Sequence, residues 1–202
     1  MLGTYFVFII FILKKTKMKI LPDKRPQMTK QEVLDLVLAT HPDYKIPDIF
    51  WVGIRGYYKK TMGNPDGNDR AMYDDALFIV SKDEFVSFNG NCDPRRFVKG
   101  IANLKAGIWP VYKFDKHKGQ YMALCQRGGK VTVIRDEKGE DTGMFGINIH
   151  RGGSYGTSSA GCQTIPPSQW EDFIGTSMRL ARKYDVKNWD TGIYTYILIE
   201  NR

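Results

Sequence analysis

Cysteine and histidine are scarce in this chain, three of each among 202 residues. Cys92, Cys125 and Cys162 stand far apart and form no CxxC pair, so no disulfide framework or zinc ribbon is written in the sequence. The scattered histidines argue against a His-rich metal site. No internal repeat and no low-complexity linker divides the body. No apolar stretch reaches the ~20 residues that an ordinary membrane-spanning helix needs. C2H2, RRM and Walker A patterns are absent. What is present suits one ordinary domain: 42% hydrophobic and 13% aromatic residues can bury a core, which argues against a disordered, collagenous or polytopic membrane chain.

The net charge of +8 invites a nucleic-acid reading, and its location removes it. Residues 1–30 hold seven Lys or Arg against Asp23 alone, a net +6, which leaves +2 for residues 31–202. The basic character belongs to the first residues and not to a face of the folded body, so no nucleic-acid partner is expected. Those residues also carry an apolar run that starts at Tyr5 and ends at Leu13. Lysines follow the run instead of preceding it, and no small-residue cleavage site is visible, which is the wrong order for a secretory signal. Three readings stand open: a short membrane-contacting anchor with a basic flank, an upstream translation start with Met18 or Met28 as the native start, or an extra packed element.

Residues 1–28 thus read as a tail, 29–48 as a helix and linker, and 49–202 as the main domain. The spacing predicts a helix over 29–40, with a Thr29-x-x-Glu32 capping box, Met28 and Val33 as a hydrophobic staple, and Pro42 as the stop. From Ile49 onward the pattern turns β-like. Strands are expected near 49–58, 76–80, 84–88, 107–114, 131–135, 145–149 and 192–200, with Pro110 at an edge or bulge. GNPDGND (63–69) reads as a loop, and 89–94 as a turn without calcium-loop spacing. A second helix over 168–184 is expected to open on another capping box, Ser168-x-x-Glu171. The fold class is α+β, mainly β: a β-sandwich or barrel-like domain with one or two packed helices.

The densest chemical signal is FGINIHRGGSYGTSSAGCQTIPPSQ, residues 145–169. A strand leads to His150, a Gly/Ser loop follows, and Cys162 comes after Ser158, Ser159, Ala160 and Gly161. A cysteine nucleophile needs a base, room for a carbonyl and donors for an oxyanion. His150 is the candidate base, and the amides of Gly161 and Cys162 are candidate oxyanion donors. An imidazolium at His150 would lower the Cys162 pKa. Arg55 and Arg70 are candidates for holding an anionic substrate, and Gln163 is a further substrate-binding candidate. Adjacent Asp74 and Asp75 point to opposite faces and are expected in a solvated turn or local salt bridge. Cys92 and Cys125 read as structural thiols, and the four tryptophans as core or cleft wall.

This stretch resembles the catalytic motif of the L,D-transpeptidase family, cysteine enzymes that remodel peptidoglycan. His150 matches that family's catalytic His, and Ser159, Gly161 and Cys162 match its Ser, Gly and nucleophilic Cys. Gly107-Ile108-Trp109 resembles its Pro-x-Gly-x-aromatic strand. The likeness spans roughly 72–200 and is sharp over 145–170. Arg151 stands in place of a Gly, Ala160 in place of a His, and Gln163-Thr164 in place of an aliphatic–Arg pair; the His–Cys interval is a few residues short. The resemblance implies a Cys162 thioester acyl-enzyme on peptidoglycan stem peptides, with no metal or organic cofactor. It also implies a main-chain carbonyl at Arg151 or Gly152 that orients His150, and Ser158 and Ser159 as supporting groups. With the family's Arg missing, Arg151 becomes the candidate to hold a substrate carboxylate. The compact form suits a divergent, phage-type relative. Two alternatives remain: a non-catalytic wall-binding or virion-associated module of the same fold, and a cysteine hydrolase of another amide.

Overall fold

The computed structural model describes residues 19–58, 62 and 68–201. The run from Tyr5 to Leu13 and residues 63–67 of the predicted loop lie outside the described residues. Among the described residues, two helices, α1 (Lys30–Thr40) and α2 (Pro167–Tyr184), accompany eleven strands. In chain order the strands are β1 (Ile49–Arg55), β2 (Asp75–Ser81), β3 (Phe85–Gly90), β4 (Ala102–Leu104), β5 (Gly107–His117), β6 (Tyr121–Gln126), β7 (Val131–Arg135), β8 (Gly139–Gly143), β9 (Ile149–Arg151), β10 (Gln163–Ile165) and β11 (Tyr194–Glu200). The fold is α+β, mainly β. A mixed eight-stranded sheet runs β10-β9-β6-β5-β11-β1-β2-β3, and β4-β7-β8 form a small antiparallel sheet. The large sheet curls until its ends meet: Asn91 N donates to Thr164 O at 2.9 Å, and Thr164 N to Asn91 O at 2.8 Å. That pairing leaves little open edge. It also gives 89–94 a sheet-closing role in place of the expected turn.

Both faces of the central strands are buried, which explains why β1 and β2 read as apolar without alternation. On β1, Phe50, Val52 and Ile54 pack beneath Val33 and Val37 of α1. Ile49 and Trp51 enter the interior core with Tyr112, Tyr196 and the α2 side chains Trp170, Phe173, Leu180 and Ala181. Trp51 Nε1 donates to Ser177 Oγ on α2 at 2.9 Å, so the one polar atom of that side chain is satisfied at depth.

Local signals set the helix ends. At α1 the capping box forms: Glu32 N donates to Thr29 Oγ1 at 3.2 Å and Thr29 N to Glu32 Oε2 at 2.7 Å. At α2 the expected Ser168 box does not form. Pro167, whose fixed φ suits the first helical position, starts the helix one residue early with Pro166 as cap. Pro110 sits beside a register shift between β5 and β11, where a missing N–H is tolerated. Residues 145–149 correct the expectation of a strand. Gly146 adopts φ 71°, and the amides of Phe145 and Ile147 donate to Gln126 Oε1 at 3.2 and 3.0 Å instead of to a ladder. The strand proper is β9, starting at Ile149.

Candidate active site

Strands β9 and β10 pair in parallel, with Thr164 opposite His150 and Gln163 opposite Ile149. This register fixes the start of the site. The connecting loop must return Cys162 to the side of Asn148, and the Gln163 amide donates to the Asn148 carbonyl at 2.9 Å. The loop is pinned along its length. Gly152 N donates to Ile165 O at 2.8 Å, and Arg95 N to Ser159 O at 2.8 Å. Tyr73 Oη donates to Gly153 O at 2.7 Å. Ser159 Oγ donates to Cys162 O at 2.7 Å and accepts from Gly161 N at 3.0 Å. Gly161 has φ 130°, and a Cβ there would lie 2.4 Å from the Ala102 carbonyl oxygen, so only glycine fits.

Cys162, His150, His117, Lys118, Asn148 and Ser158 line one open groove of about 660 Å³. His150 Nδ1 lies 2.8 Å from the Arg151 carbonyl. A carbonyl can only accept, so Nδ1 carries the proton and Nε2 keeps its lone pair. The orienting carbonyl expected at Arg151 or Gly152 is therefore that of Arg151. Cys162 Sγ donates to Gly146 O and accepts from Asn148 N, each at 3.4 Å. Among the described residues, no direct Sγ–imidazole hydrogen bond is formed. The pair shares the groove at rest without contact of that kind.

A second imidazole was not foreseen. His117, at the end of β5, stacks on His150 with ring centroids 4.1 Å apart and planes 17° from parallel. Gln126 N donates to Asn148 Oδ1 at 2.9 Å, which fixes the Asn148 amide orientation. Its Nδ2 then faces His117 Nδ1 at 3.0 Å and donates to it, so His117 carries its proton on Nε2. The two stacked rings are thus held in opposite tautomers. The sequence did hold a signal for His117: Lys118-Gly119 is a hairpin turn that ends β5 beside the groove.

Electrostatics reverse one expectation. Burial, then His117, then Lys118 lower the His150 imidazole to about 4, against the Arg151 hydrogen bond that raises it. Burial raises the Cys162 thiol, against the Asn148 amide and Lys118. Both groups are neutral at rest, so no imidazolium depresses the thiol: desolvation penalises both charged forms.

Several expected ligands are elsewhere. Arg55 is buried on β1, ion-paired to Asp93 at 3.0 Å and to Glu200, and bound to the carbonyls of Cys92 and Leu104 at 2.9 Å. Its donors are committed, so it cannot hold a substrate. Arg70 pairs with both carboxylate oxygens of Asp136, donates to Arg96 O at 2.8 Å and lies over Phe97. Gln163 is fully buried. Arg151 stacks over the Tyr121 ring, 5.1 Å from its centroid, and is not among the groove's lining residues. Gly152 packs under Tyr73 and shapes the loop without lining the groove. The Gly161 amide is engaged by Ser159 Oγ, which removes it as a resting oxyanion donor. Asp74 and Asp75 are wholly buried, not solvated, and Asp75 accepts from the amides of Gly56 and Cys92. Cys92 and Cys125 are buried free thiols, as read from the sequence.

The geometry defines a class: a mainly β domain that presents a cysteine and two tautomer-fixed histidines in an open groove. The chain matches no family model, no curated protein and no solved structure. Among the described residues, no three His, Cys, Asp or Glu side chains are grouped to hold a metal ion. No described helix is long and apolar enough to cross a membrane.

Proposed function

We propose that the protein is a cysteine acyltransferase or hydrolase acting on peptidoglycan stem peptides, with Cys162 as nucleophile and His150 as base. The observation that carries this is the His150 tautomer: Nδ1–H is held by the Arg151 carbonyl at 2.8 Å, so Nε2 keeps the lone pair a base needs, on a ring that lines the same groove as Cys162. The choice of substrate rests on the motif resemblance around His150 and Cys162. The thiol proton passes from Sγ to His150 Nε2 as sulfur bonds to the substrate carbonyl carbon. The C=O electron pair moves onto oxygen and returns as the C–N bond breaks. The leaving amine takes the proton from Nε2, and a Cys162 thioester remains. An amine or water then attacks the thioester, giving His150 its proton, which returns to sulfur when the product leaves.

Two observations favour a second reading, a non-catalytic wall-binding module: the Gly161 amide is engaged by Ser159, and burial raises the Cys162 thiol. Incubation with purified muropeptides, read by mass, separates the two. Catalysis predicts loss of the terminal residue or a crosslinked product with the native protein, and neither with Cys162→Ala. Unchanged muropeptides, or equal turnover by Cys162→Ala, would sink the enzymatic reading. If only other amide substrates were cleaved, and only with Cys162 present, the chemistry would stand and the substrate assignment would fall.

A further inference from the structure

The groove carries a charge pattern that the nucleophile does not require. Its lining includes Lys118, Arg127 and Arg135 and no Asp or Glu. An adjoining depression that shares Ile101, Ser158 and Ala160 adds Arg95 and Arg96. Two of the lining cations are already neutralised. Arg127 Nε pairs with Asp115 at 2.7 Å, and Arg135 Nε with Asp141 at 2.7 Å. Lys118 is exposed and makes no ion pair among the described residues.

Lys118 also stands where its backbone does not favour a lysine. The three-residue β5–β6 connection turns through Lys118 and Gly119 at φ 50° and 72°, the two central residues of a β-turn closed by Gln120 N donating to His117 O at 3.0 Å. Asn, Asp or Gly suits that first position sterically, because a longer L side chain crowds the following carbonyl. The turn therefore gains nothing in geometry from lysine. The lysine does bring a cation next to His117, which stacks on His150. After burial, the Lys118 charge is the leading influence that lowers the His117 imidazole, and it acts on His150 and Cys162 as well.

We propose that Lys118 is an anion-recognition residue of the groove, which holds a carboxylate of the acyl-donor peptide beside Cys162. The substrate class is a peptide with a free carboxylate close to its scissile amide. The word substrate rests on the acyl-transfer reading; the anion preference at Cys162 does not. Arg151, stacked on Tyr121, does not line the groove and leaves that place to Lys118.

The test uses two alkylating probes of equal size and different charge, iodoacetate and iodoacetamide. Labelling of Cys162 in the full chain is followed by peptide mass, and the rate ratio is referred to that of free cysteine. An exposed ion pair predicts an iodoacetate preference at Cys162 about two- to fivefold above free cysteine. Lys118→Asn, which suits the turn, should return the ratio to the free-thiol value, and Lys118→Glu should invert it. The Lys118→Asn thermal midpoint, unchanged or higher, checks that the hairpin is intact. A wild-type ratio equal to that of free cysteine, or one unmoved by Lys118→Asn, would overturn the proposal. The same ratio can hold while muropeptides go unprocessed, in which case the peptidoglycan reading falls and the anion subsite stands.

Discussion

Cys162 and His150 are held as a neutral pair, and this makes a measurable demand on their reactivity. Transfer of the thiol proton to the imidazole at rest must span the interval between a His150 pKa of about 4 and a thiol raised above its ordinary 9.0. For independent groups that interval is about five pH units, or about 7 kcal/mol at ~1.36 kcal/mol per unit, and attraction between the two new charges offsets part of it. The thiolate–imidazolium form is then a minor species at rest. Under the proposed chemistry, reactivity arises as the substrate carbonyl takes up the developing charge, with His150 as the base in that step.

The assay is the pH dependence of Cys162 alkylation by iodoacetamide. The rate should climb about tenfold per unit from pH 6 to pH 9, because the reagent meets only the thiolate fraction. At pH 7 that fraction is below about 1% for a thiol above 9. A His150→Ala variant should keep nearly the same profile while losing turnover. A rate plateau from pH 5 to pH 8 in the native protein, abolished by His150→Ala, would reveal a standing ion pair and refute the reasoning.

Two further expectations concern stability. Asp74 is buried, and desolvation lifts its carboxyl to about 7, against its hydrogen bond from the Asp69 amide. A folded pKa above the unfolded one stabilises fully below about pH 4, and the benefit is lost as pH rises to 7. Asp74→Asn keeps an oxygen for the Asp69 amide, so its stability relative to wild type should grow between pH 4 and 7, by up to ~4 kcal/mol. A difference independent of pH in urea titrations would contradict the burial argument. Gly161→Ala drives a methyl against the Ala102 carbonyl in a backbone region that L residues avoid, and should cost at least ~2 kcal/mol. A wild-type urea midpoint would show that the loop yields there.

Elements whose signals are local were readable. The α1 capping box, the β2–β3 hairpin and the apolar run of β11 each depend on neighbours within a few residues. The candidate pair was local as well: Cys162 and His150 come from one short stretch, and both line the groove. The Lys118-Gly119 turn was legible, but not the place of His117 and Lys118 in the groove, because the β6–β9 pairing and the His117–His150 stack that put them there are non-local. The three-residue strands β9 and β10 are shorter than any periodicity can register. Arg55 and Arg70 looked like anion ligands because composition cannot count committed donors. Asp93, Glu200 and Asp136, far off in sequence, take those donors. At α2, Pro167 outweighed a plausible Ser–Glu pair by fixing φ before any side-chain cap could act.

Conformational strain converges on the same place. Of the four non-glycine residues with positive φ among the described residues, Lys118 and Ser158 line the groove, and the left-handed Gly146 lines it too. Each left-handed L residue costs about 1–2 kcal/mol, and such positions persist only where the surroundings over-determine them. Here they do: Tyr73 holds Gly153, Ser159 clamps Cys162 and Gly161, and Arg95 holds Ser159. A loop tied at so many points cannot shift as a body to bring sulfur to imidazole. Under the proposed chemistry the freedom that remains is rotation of the Cys162 side chain. That motion exchanges two long sulfur contacts, to Gly146 O and Asn148 N, for one with His150 Nε2. The exchange is between weak bonds, whereas moving the loop would break several ordinary ones. Under the proposed chemistry, then, the base stays fixed and the nucleophile comes to it.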